Sequence, residues 1–408
     1  MTKAVMLLGF TVPDKVAKNL FALDLGPAVQ THKFAWSLTR ALKAGFGTVI
    51  LASSCPIQNY PLGKKIIFKG GEFEEQNVDG VMLGFINVII LKHLTRFIAC
   101  LFVLPRLIAR KNVELIFVHG THTPFLIFGL LARVFGKRMV VVLTDPPGVL
   151  LPTDKLLSRA LKKVDIYLVS TILKFADAVV SLAPELINRF AVNKPFLVFP
   201  GILESTLASK LSVEKKTQQE GKPFTIVYAG GLSKAYGVDR LLEAISSFDQ
   251  GENIQIRLFG RGDQEGSIQQ LANGDARFYY GGFVTSEELI PELLQADLLI
   301  NPRPTHEEFA GMSFPSKLIE YLATGRPVLT TKIASIPETY VPYFSFIVDE
   351  SPKGIKEAIE DIMQISSADR DVFGSAGCKF INSDASESVI GFKIAGLIEC
   401  LKLESDNV

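Results

Sequence analysis

The chain has 408 residues, 48% hydrophobic and 21% charged, a balance that fits folded α/β domains and excludes general disorder. The formal net charge of +1 hides a polarity: residues 1–204 carry 24 Lys+Arg against 13 Asp+Glu (+11), leaving 19 against 29 (−10) for residues 205–408. The first half is therefore the one suited to an anionic partner, whether a phosphorylated substrate, an anionic membrane surface or nucleic acid. Cys55, Cys100, Cys378 and Cys400 are widely spaced without a Cys-x-x-Cys pair, which argues against a disulfide framework or zinc site and for a reducing compartment.

In chain order, MTKAVMLLGFTVPD holds too short an apolar run for a signal peptide, and AVMLLGF (4–10) reads as a first strand. His32 opens the first long helix near Gly26, a candidate to line a pocket. Strands follow at 48–54, 115–120, 138–145, 178–184 and 196–202, nearly continuously apolar, as strands covered on both faces are. Residues 81–112 are helical and apolar, but the uncharged runs 80–91 and 97–105 are each too short to cross a hydrocarbon core of ~30 Å. Lys92, Arg96, Arg106 and Arg110 recur there at spacings of four, ten and four. Two readings stand: an interfacial helix whose cations snorkel to phosphates, or a buried crossover helix with its basic residues in solvent. Either way Pro105 must bend or split it.

FVHGTHTPFLIFG (117–129) places His119 at a strand end and His122 before Pro124. His122 is a candidate to hydrogen-bond a ligand, the alternative being a ring that caps the helix. Asp145 ends another strand in VVVLTDPPGVL, where it suits binding a hydroxyl or acting as a base, or serves only a turn. The polar stretch 211–223 reads as a linker. Strands then restart at 225–230, 254–260, 276–282, 297–303, 327–331 and 344–350. Two consecutive doubly wound domains with a cleft between them are expected, split at 1–204, 205–385 and a terminal helix at 386–408, with ligands beyond the carboxyl ends of the strands.

In the second half, Gly230 and Gly231 let the backbone approach a ligand, with Lys234 adding charge, although βα turns also use glycine for geometry alone. Arg261 either faces phosphate or pairs with Asp263. The segment SFPSKLIEYLATGRPVLTT (313–331) says more. Ser313, Phe314, Pro315, Ser316 and Lys317 lead into a helix of about ten residues that carries Glu320 and ends at Gly325 and Pro327. Amides at that start suit a diphosphate, Ser316 can donate, Lys317 can neutralise, and Glu320 can accept from both hydroxyls of a ribose. The same glutamate also suits the helix dipole without any ligand.

YAGGLSKAYGVDRLLEA, IRLFGRGDQ, YYGGFVTSEELIPELLQADLLINP and FPSKLIEYLATGRPVL, in that order, resemble the donor-binding domain of glycosyltransferase family 4 over residues 224–340. The last is similar to the FPSK-L-x-EY-x-A-x-G-x-PV form of bacterial polysaccharide and lipid-linked oligosaccharide transferases. The resemblance implies an α/β GT-B fold of two Rossmann-like domains facing across a cleft, with the terminal helix crossing back to the first. It implies a nucleotide-diphosphate-sugar donor with its base near Phe283 and Val284, ribose at Glu320, and phosphates between Gly230–Gly231 and the 313–317 loop. It further implies transfer to a hydroxyl acceptor with retention and without metal or cofactor; His32, His122 and Asp145 are then the candidates to meet that acceptor, and His122 also suits donor sugar or phosphate. A lipid-linked or saccharide acceptor at the cytoplasmic membrane face fits the basic first half.

Three positions depart from the pattern. The family often has Arg where Gly231 stands and Lys where Tyr236 stands, leaving Lys234, Arg261 and Lys317 as substitutes. The first of its two glutamates falls on Met312, and neither Glu307 nor Glu308 can be placed at the sugar from sequence. A nucleotide-sugar epimerase on the same fold, or a non-catalytic sugar-nucleotide sensor or scaffold, are the rival readings. Nucleic-acid binding lacks an aromatic-interleaved basic patch, and hydride transfer lacks a Gly-x-Gly-x-x-Gly after the first strand.

Overall fold

The computed structural model describes residues 4–21, 29–144, 156–190, 193–213 and 221–406. Two units result, Met1–Ile202 with Glu387–Val408, and Leu203–Ser386. Unit 1 runs β1 (Ala4–Gly9), α1 (Asp14–Phe21), α2 (Val29–Phe46), β2 (Val49–Ser53), β3 (Ile67–Phe68), β4 (Gly71–Glu75), β5 (Val78–Met82), β6 (Phe85–Ile86), α3 (Ile89–Lys111), β7 (Val113–His119), α4 (Thr123–Val134), β8 (Arg138–Leu143), α5 (Leu156–Leu173), β9 (Ala178–Ser181), α6 (Pro184–Phe190) and β10 (Phe196–Val198). Its eight-stranded sheet has the order β10-β9-β8-β7-β1-β2-β5-β4. All pairings are parallel except β4 with β5. All six residues of β1 are buried, as a central strand between two helix layers requires.

The expectation for 81–112 needs correction. Residues 78–82 and 85–86 are strands, and only Ile89–Lys111 is helical, running unbroken with Pro105 inside. Its four cations do not share one environment. Lys92 and Arg96 are 7% and 3% exposed and donate inward to the carbonyls of Ile57 and Cys55, whereas Arg106 and Arg110 lie at the surface. Neither a fully snorkelling stripe nor a fully solvated one describes this helix. No described helix is long and apolar enough to cross a membrane.

Unit 2 runs α7 (Ser205–Val213), β11 (Phe224–Gly231), a 3-10 turn (Lys234–Tyr236), α8 (Val238–Ser246), β12 (Ile254–Arg261), α9 (Glu265–Gly274), β13 (Phe278–Gly282), α10 (Ser286–Gln295), β14 (Leu298–Asn301), α11 (Glu308–Met312), α12 (Lys317–Ala323), β15 (Val328–Thr331), a second 3-10 segment (Glu338–Tyr343), β16 (Ser345–Ile347), α13 (Pro352–Gln364) and α14 (Ser367–Asp384). Its sheet is parallel throughout, in the order β13-β12-β11-β14-β15-β16. Strand order reverses between β11 and β14, which opens a crevice at their carboxyl ends. Ile226, Tyr228 and Ile300 pack on one side of this sheet, and Val227, Leu299 and Leu318 on the other.

The last helix, α15 (Glu387–Asp406), belongs to unit 1. Ile390, Ile394 and Ile398, spaced by one turn, are buried in the core that also holds Ala41 and Leu42 of α2. The two helices touch backbone to backbone. A Cβ on Gly391 would stand 2.0 Å from the Ala41 carbonyl oxygen, and one on Gly45 2.3 Å from that of Gly391. Arg40 Nε donates to Glu387 Oε1 at 2.6 Å beside this contact.

Candidate functional site

The crevice of unit 2 is lined by the ends of β11 and β14 and by the start of α12. Tyr321 fixes α12 to β11, because its hydroxyl accepts from Ala229 N at 2.8 Å and donates to Ala229 O at 3.3 Å. Lys317, the first residue of α12, thereby lies across the end of β11. Its Nζ donates to Tyr228 Oη at 3.1 Å and sits 4.2 Å from that ring's centroid, while Tyr228 Oη donates to Gly231 O at 2.7 Å. Gly230, at φ +145°, makes this possible: a Cβ there would be 2.4 Å from Lys317 Nζ. Burial, then repulsion from Arg303, push the Lys317 amine down to about 7, against a smaller opposing pull from Glu320.

Arg303 was not singled out by sequence. It follows β14, is 6% exposed, donates from Nη1 to Ser313 O at 3.1 Å, and lies 5.8 Å from the Tyr236 ring centroid. Its one legible signal was position, two residues past a strand at the order reversal. The Tyr236 ring in turn covers Gly231, where a Cβ would meet its Cε2 at 2.7 Å.

The other expected residues divide. Glu320 is half-buried on α12, three residues after Lys317. Phe314 and Pro315 are buried, Ser313 is half-buried and Ser316 is exposed. The helix is seven residues long rather than about ten. Its first amides bond within the turn, Leu318 N to Pro315 O and Ile319 N to Ser316 O, so those two are not available to a ligand. Arg261 does not pair with Asp263 but stacks 5.0 Å from the ring centroid of Phe283, itself 67% exposed. Asp263 instead accepts from Ser233 Oγ and from the backbone N–H of Lys234, whose own side chain is exposed. Val284 packs against the core rather than joining that exposed platform. Met312 is buried, and Glu307 lies near enough to favour the charge on Arg303.

In unit 1, His122 precedes α4 but makes no side-chain cap bond. Its Nε2 lies 3.3 Å from Arg96 Nη1, and its ring meets Phe10, His93 and Phe125. Burial, then the Arg96 charge, hold its pKa well below the ordinary histidine value, so the ring is neutral. A guanidinium only donates, so Nε2 accepts and the proton resides on Nδ1. Arg96 also bonds Cys55 O at 2.6 Å and was read from sequence only as part of a stripe. His32 is buried, with Nε2 2.9 Å from Asp14 Oδ1, and His119 is buried within β7. Gly26 and Asp145 lie outside the described residues. A cavity on unit 1 beside Arg106, Arg110 and Lys111 carries charges already paired, Arg110 with Glu72 and Lys111 with Asp79, and offers no convergent chemistry.

Residues 223–364 match the family described as Glycosyl transferases group 1. Unit 2 carries a group 1 glycosyl transferase domain. The matched residues include β11, Lys317, Arg303 and Glu320, so the crevice described above lies within the group 1 domain. A GDP-mannose-dependent alpha-(1-6)-phosphatidylinositol dimannoside mannosyltransferase of Mycobacterium tuberculosis is 26% identical over 140 residues, 34% of this chain and 35% of that protein. The amylovoran biosynthesis glycosyltransferase AmsK of Erwinia amylovora is 27% identical over 156 residues, 37% and 38% of the two chains. The matched segment thus spans little more than a third of these curated relatives.

Solved structures match over nearly the whole chain. Sucrose-phosphate synthase from Thermosynechococcus elongatus aligns with TM-score 0.64 and 15% identity over 98% of this chain and 100% of its own. Anabaena HepE in complex with UDP gives 0.62 and 13% over 98% and 100%. A glycosyltransferase from Rickettsia africae gives 0.63 and 15% over 100% of both. The fold is the GT-B fold, built from two Rossmann-like units.

Proposed function

We propose that the chain is a retaining glycosyltransferase that moves a sugar from a nucleotide-diphosphate donor to a hydroxyl acceptor. The observation that carries this reading is Lys317 lodged over Gly230 at the β11–β14 reversal, with Glu320 on the same short helix. In this reading the donor phosphates meet Lys317 and the 313–317 loop, the ribose hydroxyls donate to Glu320, and the base lies on the Arg261–Phe283 pair. The bond from the anomeric carbon to the phosphate oxygen breaks as the acceptor oxygen attacks from the same face. The acceptor proton passes to the departing phosphate, and the cations stabilise its developing charge. His122, neutral and protonated on Nδ1, serves as a hydrogen-bond donor to a sugar or acceptor hydroxyl rather than as a base. No metal is needed in this scheme.

GDP-mannose, on which one relative depends, and UDP, bound in one structural neighbour, make GDP and UDP the first nucleotides to try. A thermal-shift screen of UDP, GDP and their sugars, then transfer assays with the best binder, tests the reading. Loss of nucleotide binding in Glu320→Ala supports it, and binding unchanged in that variant refutes the ribose assignment. Incubating donor alone separates the epimerase rival, which would alter the donor sugar without any acceptor.

We also place the acceptor on a membrane surface, as a lipid-linked intermediate. Support comes from the outward face of α3, where Ile89, Ile90, Leu94, Ile98 and Phe102 are exposed, and from the +11 charge of residues 1–204. Flotation with vesicles containing anionic lipid is the check. Failure to float, or flotation unchanged in Ile90→Glu/Phe102→Glu, overturns this placement.

A further inference from the structure

We propose that two cations, the buried Arg303 and the half-buried Lys317, grip the diphosphate of the donor, with Arg303 supplying the charge that no side chain at Gly231 or Tyr236 provides. The proposal rests on the donor reading above and names the groups that would hold its phosphates. Both residues lie at the carboxyl side of β11 and β14, the two strands between which the sheet order reverses. They come from different loops, one directly after β14 and one at the start of α12. Both nevertheless reach the Gly230–Gly231 end of β11: Lys317 Nζ lies over Gly230, while Arg303 faces the Tyr236 ring that covers Gly231 and bonds Ser313 O in the loop leading to Lys317. Like charges brought to one end of a strand repel, and an anion bound against both offsets that repulsion. A diphosphate carries the charge and the several acceptor oxygens that such a pair can share.

Packing explains why the charge enters from this direction. The space above Gly231 is filled by the Tyr236 ring, 2.7 Å from the position a Cβ would take, so a side chain at Gly231 would have to displace that ring. The same ring faces Arg303, whose Nη1 is anchored to Ser313 O of the 313–317 loop. Gly231, Tyr236 and Arg303 form one set: the glycine leaves room for the ring, and the ring and the Ser313 carbonyl hold the guanidinium. The other cations are engaged elsewhere. Arg261 stacks on Phe283, and the Lys234 side chain is exposed while its backbone N–H bonds Asp263. The carboxylates that act on the pair are Glu307 toward Arg303 and Glu320 toward Lys317.

The test is calorimetric titration of the full chain with UDP and GDP, and with UMP and GMP, using wild type, Arg303→Gln, Arg303→Lys, Lys317→Gln and Lys234→Gln. Losing one charge-assisted contact is expected to weaken the diphosphates about 10- to 100-fold in Arg303→Gln and in Lys317→Gln. The monophosphates should change much less, and Arg303→Lys should recover part of the loss. Diphosphate affinity within about threefold of wild type in a folded Arg303→Gln protein overturns the proposal. So does a loss confined to Lys234→Gln. If Arg303→Gln does not fold, wild-type crystals soaked with the bound diphosphate decide. Terminal phosphate oxygens within about 4 Å of both cations uphold the pair, and phosphates placed away from Arg303 refute it. If wild type binds neither diphosphate, the donor reading falls and takes the pair with it. If Glu320→Ala abolishes binding but Arg303→Gln does not, only the pair falls.

Discussion

Lys317 gives nucleotide binding a pH signature that can be worked out in advance. In the free protein burial and Arg303 push the amine down to about 7, far below its ordinary 10.5. A diphosphate bound against it favours the charged form and returns the pKa toward that ordinary range. Above pH 7, binding must therefore take up a proton, and affinity falls as pH rises. At pH 8.5 about 97% of free-protein amines are neutral, so the dissociation constant should be about 25-fold higher than at pH 6.5, with proton uptake approaching one per site. The nucleotide's own terminal phosphate ionises near pH ~6 and contributes little change above pH 7. Calorimetry in buffers of different ionisation enthalpy reads both quantities. Lys317→Arg, which stays charged, should be nearly flat over the same range. The unliganded protein should show the opposite trend. Lys317 is depressed in the folded state, so the unfolded chain holds more protons between pH 7 and 10.5, and this residue's contribution to stability rises with pH there. Wild-type affinity constant from pH 7 to 8.5, with no proton uptake, would refute the assignment of Lys317 to the phosphate.

Three further outcomes are expected. Gly391→Val drives a side chain into the Ala41 carbonyl and should destabilise unit 1 by about 1–3 kcal/mol, read as a lower Tm by scanning calorimetry; an unchanged Tm would contradict the backbone contact. Tyr321→Phe leaves the buried Ala229 N–H without its acceptor and should cost about 1–3 kcal/mol while loosening nucleotide binding through Lys317; a denaturation midpoint equal to wild type would count against it. Arg96→Leu removes the donor that fixes His122 Nε2 as acceptor. Nitrogen-15 NMR of the imidazole should show the single Nδ1–H form of wild type give way to a tautomer mixture, and an unchanged spectrum would show that Arg96 does not set it.

Much of the fold was legible because its strands are buried on both faces and so stand out as apolar runs between helices. The hairpin of β4 and β5 was not. Its strand GEFEE is polar and mostly exposed, and the only local sign was Gln76-Asn77, both at positive φ in a tight turn. The α3 cations were misread for a different reason. Helical spacing gives the face but not what the face meets, and the carbonyls that draw Lys92 and Arg96 inward, of Ile57 and Cys55, lie 35 and 41 residues away in sequence. In the candidate site, Lys317 and Glu320 were visible because they share one helix. Arg303 was not, because its relation to Lys317 exists only once β14 lies beside β11.

The two ends of unit 2 are clipped to each other: Leu203 N donates to Ala385 O at 2.8 Å, and Leu203 bridges Ser386. Topologically, the whole of unit 2 is therefore a loop inserted into the other unit, just ahead of α15. On a ribosome, residues 203–386 have all emerged before Ile390, Ile394 and Ile398 can fill their places against α2, so the later module completes first while the earlier one waits with an open seam. Chains stalled before that point should expose the seam to chaperones and proteases even though unit 2 is already complete.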